Sequence, residues 1–350
     1  MDTSTLRTLD VLSSNLGNSL SINQLTERIK ETYGTAYYAN IYQKLQDLKN
    51  DGLLTLDQIG RSSNVKLNFQ NYLLIDAMAE MEIEKKSKFL TKRADLIPLL
   101  TEMEKAFGDS CAIMTISATN LAKTIKLNRI ELLILLGENP NNYQETKSLY
   151  KEIQQLQNKY NFKIDSLVLN KANFQELIAS DEINPVREAL GEKIILLSPQ
   201  RFWSQIKKIG EKTEIKALKT EMKPVNISQT DLTYNLLRFG YTEFGRTVTQ
   251  SKRISVEYII TTMLLQDDIR LQEAVPIMLA KNKFKTNVLT FLTQKYGTAK
   301  RLLSMLKVLQ EIKPKQEIDQ TIDLIRIFNQ EETPVNSESI LQKLRLYNAL

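Results

Sequence analysis

The run RIELLILL, residues 129–136, constrains the fold most, because its apolar stretch Leu132-Leu133-Ile134-Leu135-Leu136 follows the turn-rich segment NLAKTIKLN and reads as a buried strand. Further apolar runs flank it, CAIMTIS before and FKIDSLVLN after. Helical patterns separate the later ones: NYQETKSLYKEIQQLQNKY, NFQELIASDEI and then NPVREALGEKIILLSP, a helix leading to a last strand. Strands interleaved with helices predict an α/β or α+β sheet domain of about 100 residues over 106–210.

The first seventy residues carry a different pattern. Leu6, Leu9 and Leu12 recur at helical spacing, Gly17 ends that helix, and Ser21 is the expected N-cap of a second with Ile22, Leu25 and Ile29 inward. After Tyr33-Gly34, Thr35 is expected to cap a third helix over 35–49, with Ile41, Leu45 and Leu48 buried and Tyr37, Asn40, Lys44 and Asp47 outward. NDGLLTLDQIGRSSNVKLNFQ then reads as a hairpin carrying Leu54, Leu56, Val65 and Leu67. Charge-rich residues 73–105 predict a linker helix broken at Pro98, with a short dimerising helix through Leu73, Met78 and Met81 as the alternative. Beyond a lysine-bearing linker ending near Pro224, residues 225–350 predict a helical bundle. Gly297 separates two of its helices, and Ser337 or Ser339 caps the last.

Composition narrows the chemistry. With no histidine and one cysteine, Cys111, the chain has no Ser-His-Asp triad, histidine metal cage, internal disulfide or Cys-rich zinc site. No apolar run approaches the roughly 20 residues that span a bilayer, and the start MDTSTLRTLD lacks a signal-peptide pattern, so a cytoplasmic location without membrane contact is expected. Residues 1–200 hold 23 Lys+Arg against 25 Asp+Glu, a balance of −2; residues 201–350 hold 24 against 16, a balance of +8, and together these give the net +6. The excess is densest over 281–315, where Lys281, Lys283, Lys285, Lys295, Lys300, Arg301, Lys307, Lys313 and Lys315 face only Glu311. Such a cluster reads either as a phosphate-neutralising surface or as a solvated helical face.

Three helices followed by a hairpin resemble a winged helix-turn-helix domain. SINQLTERI, NIYQKLQDLKNDGLL and GRSSNVKLN in particular resemble the winged-helix domains fused to nucleotidyltransferase-like domains in archaea. The resemblance implies that helix 35–49 enters a major groove, with Tyr37, Tyr38, Asn40, Gln43 and Lys44 as readers, while Arg61 and Lys66 of the wing hold the DNA backbone. Residues 1–75 carry seven basic and seven acidic side chains, which leaves protein binding as an alternative.

The stretch LVLNKANFQELIASDEINPVREALGEKIILLSP resembles minimal nucleotidyltransferase domains. Active members place Gly-Ser before a helical turn and Asp-x-Asp on the next strand, cradling phosphates and holding two Mg²⁺ ions. Here Ser117-Ala118 stands in place of Gly-Ser, Arg129-x-Glu131 replaces Asp-x-Asp, and Asp165 matches the third carboxylate. A guanidinium cannot ligate Mg²⁺ and repels it, so the resemblance implies a degenerate site with no catalytic residue, metal or cofactor. Other readings stay open: one metal held by Glu131 and Asp165, a phosphate bound by Arg129 and Lys123 without turnover, or plain surface residues at strand ends, with Lys123 and Lys126 as solvated loop charges.

The architecture expected is thus α+β and multidomain: a winged helix over 1–72, a linker helix over 73–105, an inactive nucleotidyltransferase-like domain over 106–210, and a helical domain over 225–350. The function expected is non-enzymatic DNA binding in transcriptional regulation, through the winged helix and the basic side chains Lys281, Lys283, Lys285, Lys300 and Arg301. Its partners would be double-stranded DNA, a second copy of the chain, and a protein met through the C-terminal helices. A divergent metal-dependent nucleotidyltransferase and an architectural DNA-coating protein are the alternatives.

Overall fold

Capping chemistry sets the N-terminal elements. The first helix, α1 (Thr3–Ser13), starts at Asp2, whose carboxylate accepts the Thr5 N–H. The second, α2 (Ile22–Tyr33), starts on a reciprocal box in which Ser21 and Gln24 each accept the other's backbone N–H. Gly34, at φ +86°, ends α2 in a conformation that disfavours other residues. The chain stays extended at Tyr37, so α3 (Tyr38–Asn50) begins later than a Thr35 cap predicts, with Tyr37 as an N-cap that makes no side-chain bond. Ile41, Leu45 and Leu48 are buried, as their spacing requires. Strands β2 (Leu54–Ile59) and β3 (Ser62–Leu67) pair antiparallel with Leu54 opposite Leu67, and β1 (Leu20–Ser21) adds to β3, giving the order β1-β3-β2.

The structure is a computed structural model describing residues 1–59, 62–117, 128–137, 142–191, 193–213, 215, 222–243, 248–266 and 268–350. It is an α+β protein with two small sheets, and no helix among the described residues is long and apolar enough to cross a membrane. The expected linker over 73–105 is two helices, α4 (Leu73–Lys92) and α5 (Ile97–Phe107). The break lies at Arg93 to Leu96 and not at Pro98, which sits in the first turn of α5, where its missing N–H costs nothing. Nor does α4 act as a spacer. Leu74, Ile75, Met78 and Met81 are buried, and the helix packs on β7 (Lys193–Leu197) and α9 (Pro199–Gly210).

The second sheet has the order β6-β5-β4-β7, with β4 (Cys111–Ser117) antiparallel to both β5 (Arg129–Leu136) and β7, and β5 parallel to β6 (Lys163–Leu169). Because side chains alternate along a strand, Ile130, Leu132 and Ile134 enter one apolar cluster with α5 and α6 (Asn142–Tyr160), while Leu133 and Leu135 enter the other. That second cluster runs on through α7 (Lys171–Ala179), α8 (Pro185–Gly191), α9 and the C-terminal helices. Those are α10 (Gln229–Arg238), α11 (Val256–Leu265), α12 (Ile269–Lys281), α13 (Thr286–Tyr296), α14 (Ala299–Ile312), α15 (Gln316–Phe328) and α16 (Ser337–Leu346). Gly297, at φ +71°, terminates α13 as expected, but α16 is capped by Asn336, which accepts the Ser339 N–H, and not by either serine.

Edge strand β6 is closed by side chains. Its carbonyls at Ile164, Ser166 and Val168 accept from Gln294 Nε2, Tyr150 Oη and Asn287 Nδ2, at 2.9, 3.1 and 2.7 Å. Strand edges left bare invite pairing with other chains, so these amides protect the sheet while fixing α13 along β6.

A buried polar junction joins α1, α4, β7 and α9. Lys193 donates to the carbonyls of Leu190 (3.0 Å) and Ser13 (3.3 Å) and lies over the Trp203 and Phe202 rings. Glu82 is fully buried beside it, and Asp10 pairs with Lys85 at 2.7 Å. Burial lowers the Lys193 pKa to about 8, against the pull of Glu82, and burial pushes the Glu82 carboxyl up. An unfolded lysine keeps its proton to about 10.5, so between the two values the unfolded chain binds more protons and this residue makes stability rise with pH. We expect that alkaline gain, followed by urea unfolding from pH 7 to 10, to be smaller in Lys193→Met than in the wild type; equal slopes would refute the assignment.

Candidate functional site

Register places the proposed acidic pair. Glu131 of β5 stands directly opposite Asp165 of β6, and Arg129 opposite Lys163. Residues two apart on a strand share a face, so the four side chains form two cations beside two carboxylates on one sheet face. Ser117 ends β4 at the same end of the sheet, opposite Lys193 of β7. Ala118, Lys123 and Lys126 lie outside the described residues.

Both carboxylates are occupied. Arg129 Nε donates to Asp165 Oδ2 at 2.5 Å, and its Nη2 reaches the Lys295 carbonyl at 2.7 Å. Lys295, from the last turn of α13, sets its ammonium 2.8 Å from Glu131 Oε2, with the two side chains only 7% and 10% exposed. Lys163 donates to the Gln294 carbonyl at 3.3 Å and stands 3.7 Å from Asp165 Oδ1, whose carboxyl is fully buried. Helix α13 therefore covers this charged face of the sheet. A divalent ion needs several oxygen ligands and room for water, and here it would meet two fixed cations within contact distance of its ligands. No group of three or more Asp, Glu or Cys able to hold a metal exists among the described residues. Sequence reasoning found Arg129, Glu131 and Asp165, placed Lys295 in the basic cluster and not beside Glu131, and missed Gln294 and Lys163. The motif Lys163-x-Asp165, matching Arg129-x-Glu131 on the neighbouring strand, was the available signal for Lys163.

The proposed DNA-reading face is exposed on α3. Tyr37 and Tyr38 are 70% and 49% exposed, and Asn40 and Gln43 are also open. Tyr42, not anticipated, is 43% exposed and stacks on Tyr38 with ring centroids 6.1 Å apart. Lys44 is only half-exposed, because it pairs with Asp2 at 2.9 Å and holds that carboxyl well below the usual range. Lys66 pairs across the hairpin with Asp57 at 3.1 Å, and Arg61 lies outside the described residues.

Most of the C-terminal cations have partners within the fold. Lys281 donates to the Tyr347 carbonyl (3.1 Å), Lys285 pairs with Glu176 (2.6 Å), Lys300 with Glu331 and Lys307 with Glu332. Arg301, Lys313 and Lys315 donate to the carbonyls of Leu264, Ala349 and Ala280 at 3.1, 2.8 and 2.7 Å. Lys283 is exposed. Most of the cluster thus joins helices to one another and to the sheet layer.

In comparisons with protein-family models, curated proteins and solved structures, nothing matches the chain. Its chemistry therefore rests on geometry. Breaking a buried ion pair by removing one partner costs about 3–5 kcal/mol. Lys295→Met is expected to lose stability of that order in urea unfolding, and Glu131→Gln in the same chain to restore most of it; a loss within about 0.5 kcal/mol, typical of surface sites, would show that the pair holds nothing.

Proposed function

We propose that the chain is a non-enzymatic DNA-binding protein, in which a nucleotidyltransferase-like sheet serves as scaffold and α3 presents the contact face. The Lys295 ammonium against Glu131, with Arg129 against Asp165, carries the first half of this reading: the groups that would grip metal are neutralised from within the fold. The element order α1-β1-α2-α3-β2-β3 with its three-stranded sheet supports a winged-helix reading of the N-terminal part. Amides at Asn40 and Gln43 suit base edges, and Tyr37, Tyr38 and Tyr42 supply apolar contact to them. The surface pairs Lys44–Asp2 and Lys66–Asp57 cost little to open, so both lysines can transfer to phosphates. Transcriptional regulation is the cellular role that fits best.

Few phosphate contacts mean a shallow salt dependence, with log K falling against log salt at roughly −2 to −3. With fluorescent duplexes selected from a random pool, Tyr38→Ala and Asn40→Ala should each weaken binding at least about tenfold, the scale of one lost base contact. Lys300→Glu with Arg301→Glu should lower affinity on all sequences, because the exposed Lys300–Glu331 pair also opens at little cost. Absence of any duplex binding would end the DNA reading. Incorporation of labelled nucleoside triphosphate with Mg²⁺, abolished by Glu131→Gln, would end the non-enzymatic one.

A further inference from the structure

The open side of α3 carries few kinds of side chain. Ile41, Leu45 and Leu48 face the core, and helical geometry sets Ala39 and Gln43 roughly opposite them, where both are exposed. Tyr38 and Tyr42, one turn apart, flank this strip on one side and Asn40 flanks it on the other. The two tyrosine rings stack with centroids 6.1 Å apart and planes 22° from parallel, so they form one continuous apolar ledge.

Charge is largely withheld from the same strip. Helix α3 contains no arginine, and of its two lysines Lys49 lies in the last turn, while Lys44 is held by Asp2 at 2.9 Å. Asp47, the acid on this side, already accepts from Gln43 Nε2 at 3.3 Å and stands 3.8 Å from the Lys44 ammonium. That long, exposed bond from Gln43 opens at little cost. Among the described residues the Asn40 side chain has no partner. In a winged helix the early turns of this helix meet base edges, so neutral amides and apolar surface are what α3 brings to them.

Base pairs differ in what they show in the major groove. Guanine shows two acceptors, whose usual partner is a bidentate arginine or lysine. Adenine shows an acceptor beside a donor, which a side-chain amide matches with its own donor and acceptor, and thymine adds a methyl group that takes apolar contact. Against guanine, an amide would leave its oxygen facing a second acceptor.

We propose that α3 recognises A·T base pairs from the major groove, with Asn40 and Gln43 bonding to adenine and with Ala39 and the Tyr38–Tyr42 ledge packing on thymine methyl groups. The proposal rests on the assignment of α3 as the duplex-contacting face and narrows its target to one base class.

Fluorescence anisotropy with the full chain tests it, on the duplex that selection from a random pool yields. An A·T core is expected. Exchanging thymine for uracil removes only the methyl group and should weaken binding about fourfold per contacted methyl, the scale of burying one methylene. Exchanging an A·T pair for inosine·cytosine preserves the minor-groove pattern while altering the major-groove one, and should weaken binding at least about tenfold. Asn40→Ala and Gln43→Ala should each shrink the inosine penalty at one position, and Tyr42→Ser the uracil penalty, with native circular dichroism throughout. A G·C-rich core, binding without base preference, or penalties unchanged in every variant would overturn the inference while duplex binding itself stands. Failure to bind any duplex would remove both.

Discussion

The buried contact between Lys295 and Glu131 organises the relation between the sheet and the helices that follow it. A lysine from α13 travels 164 positions along the chain to meet a carboxylate on the central strand. Moving two such charges out of water costs several kcal/mol per ion, which their attraction repays only when geometry and further hydrogen bonds are good. Here the Lys295 carbonyl takes Arg129, the neighbouring Gln294 carbonyl takes Lys163, and Arg129 takes Asp165. The charges form a closed array, and each one sets the position of the next.

Spacing explains why α13 fits this place. Asn287 and Gln294 are seven residues apart, about 10 Å along a helix axis. Their acceptors, Val168 and Ile164, are four residues apart, about 13 Å along a strand. Flexible amide side chains span the difference, so the helix runs antiparallel to β6 and is fixed near both ends. An apolar seam alone would tolerate sliding by a turn, whereas a charged pair at one end and amides at both admit a single register.

Much of this was legible in the sequence. The apolar core of RIELLILL, the alternation of strands with helices to Leu197, the Ser21 cap and the stripe Ile41, Leu45 and Leu48 depend on local pattern, and the structure has each in place. What was not legible depends on direction in space. Residues 281–315 look like one basic surface because cations crowd along the chain, but they fall on the end of α12, the connection to α13, two helices and the segment after α14. Most of their charged groups meet carbonyls and carboxylates of several other elements. Composition counts charge without fixing the partners that neutralise it. Residues 73–105 misled for the same reason: most charges of α4 lie away from Leu74, Ile75, Met78 and Met81, which are core, and Glu82 is buried beside Lys193.

The same distinction bears on function. A guanidinium at position 129 argues against metal chemistry from sequence alone, but it leaves Glu131 and Asp165 free in principle to hold one ion. Lys295 removes that freedom, since an ammonium 2.8 Å from Glu131 already supplies the positive charge the carboxylate requires. With α13 lying over that sheet face, any ligand for these two carboxylates would have to displace a helix held by the edge-strand amides as well as by the ion pair. Charge substitution and steric cover act at the same two carboxylates, and each reinforces the other: the cation favours the helix where it lies, and the helix excludes the water that a metal ion would bring.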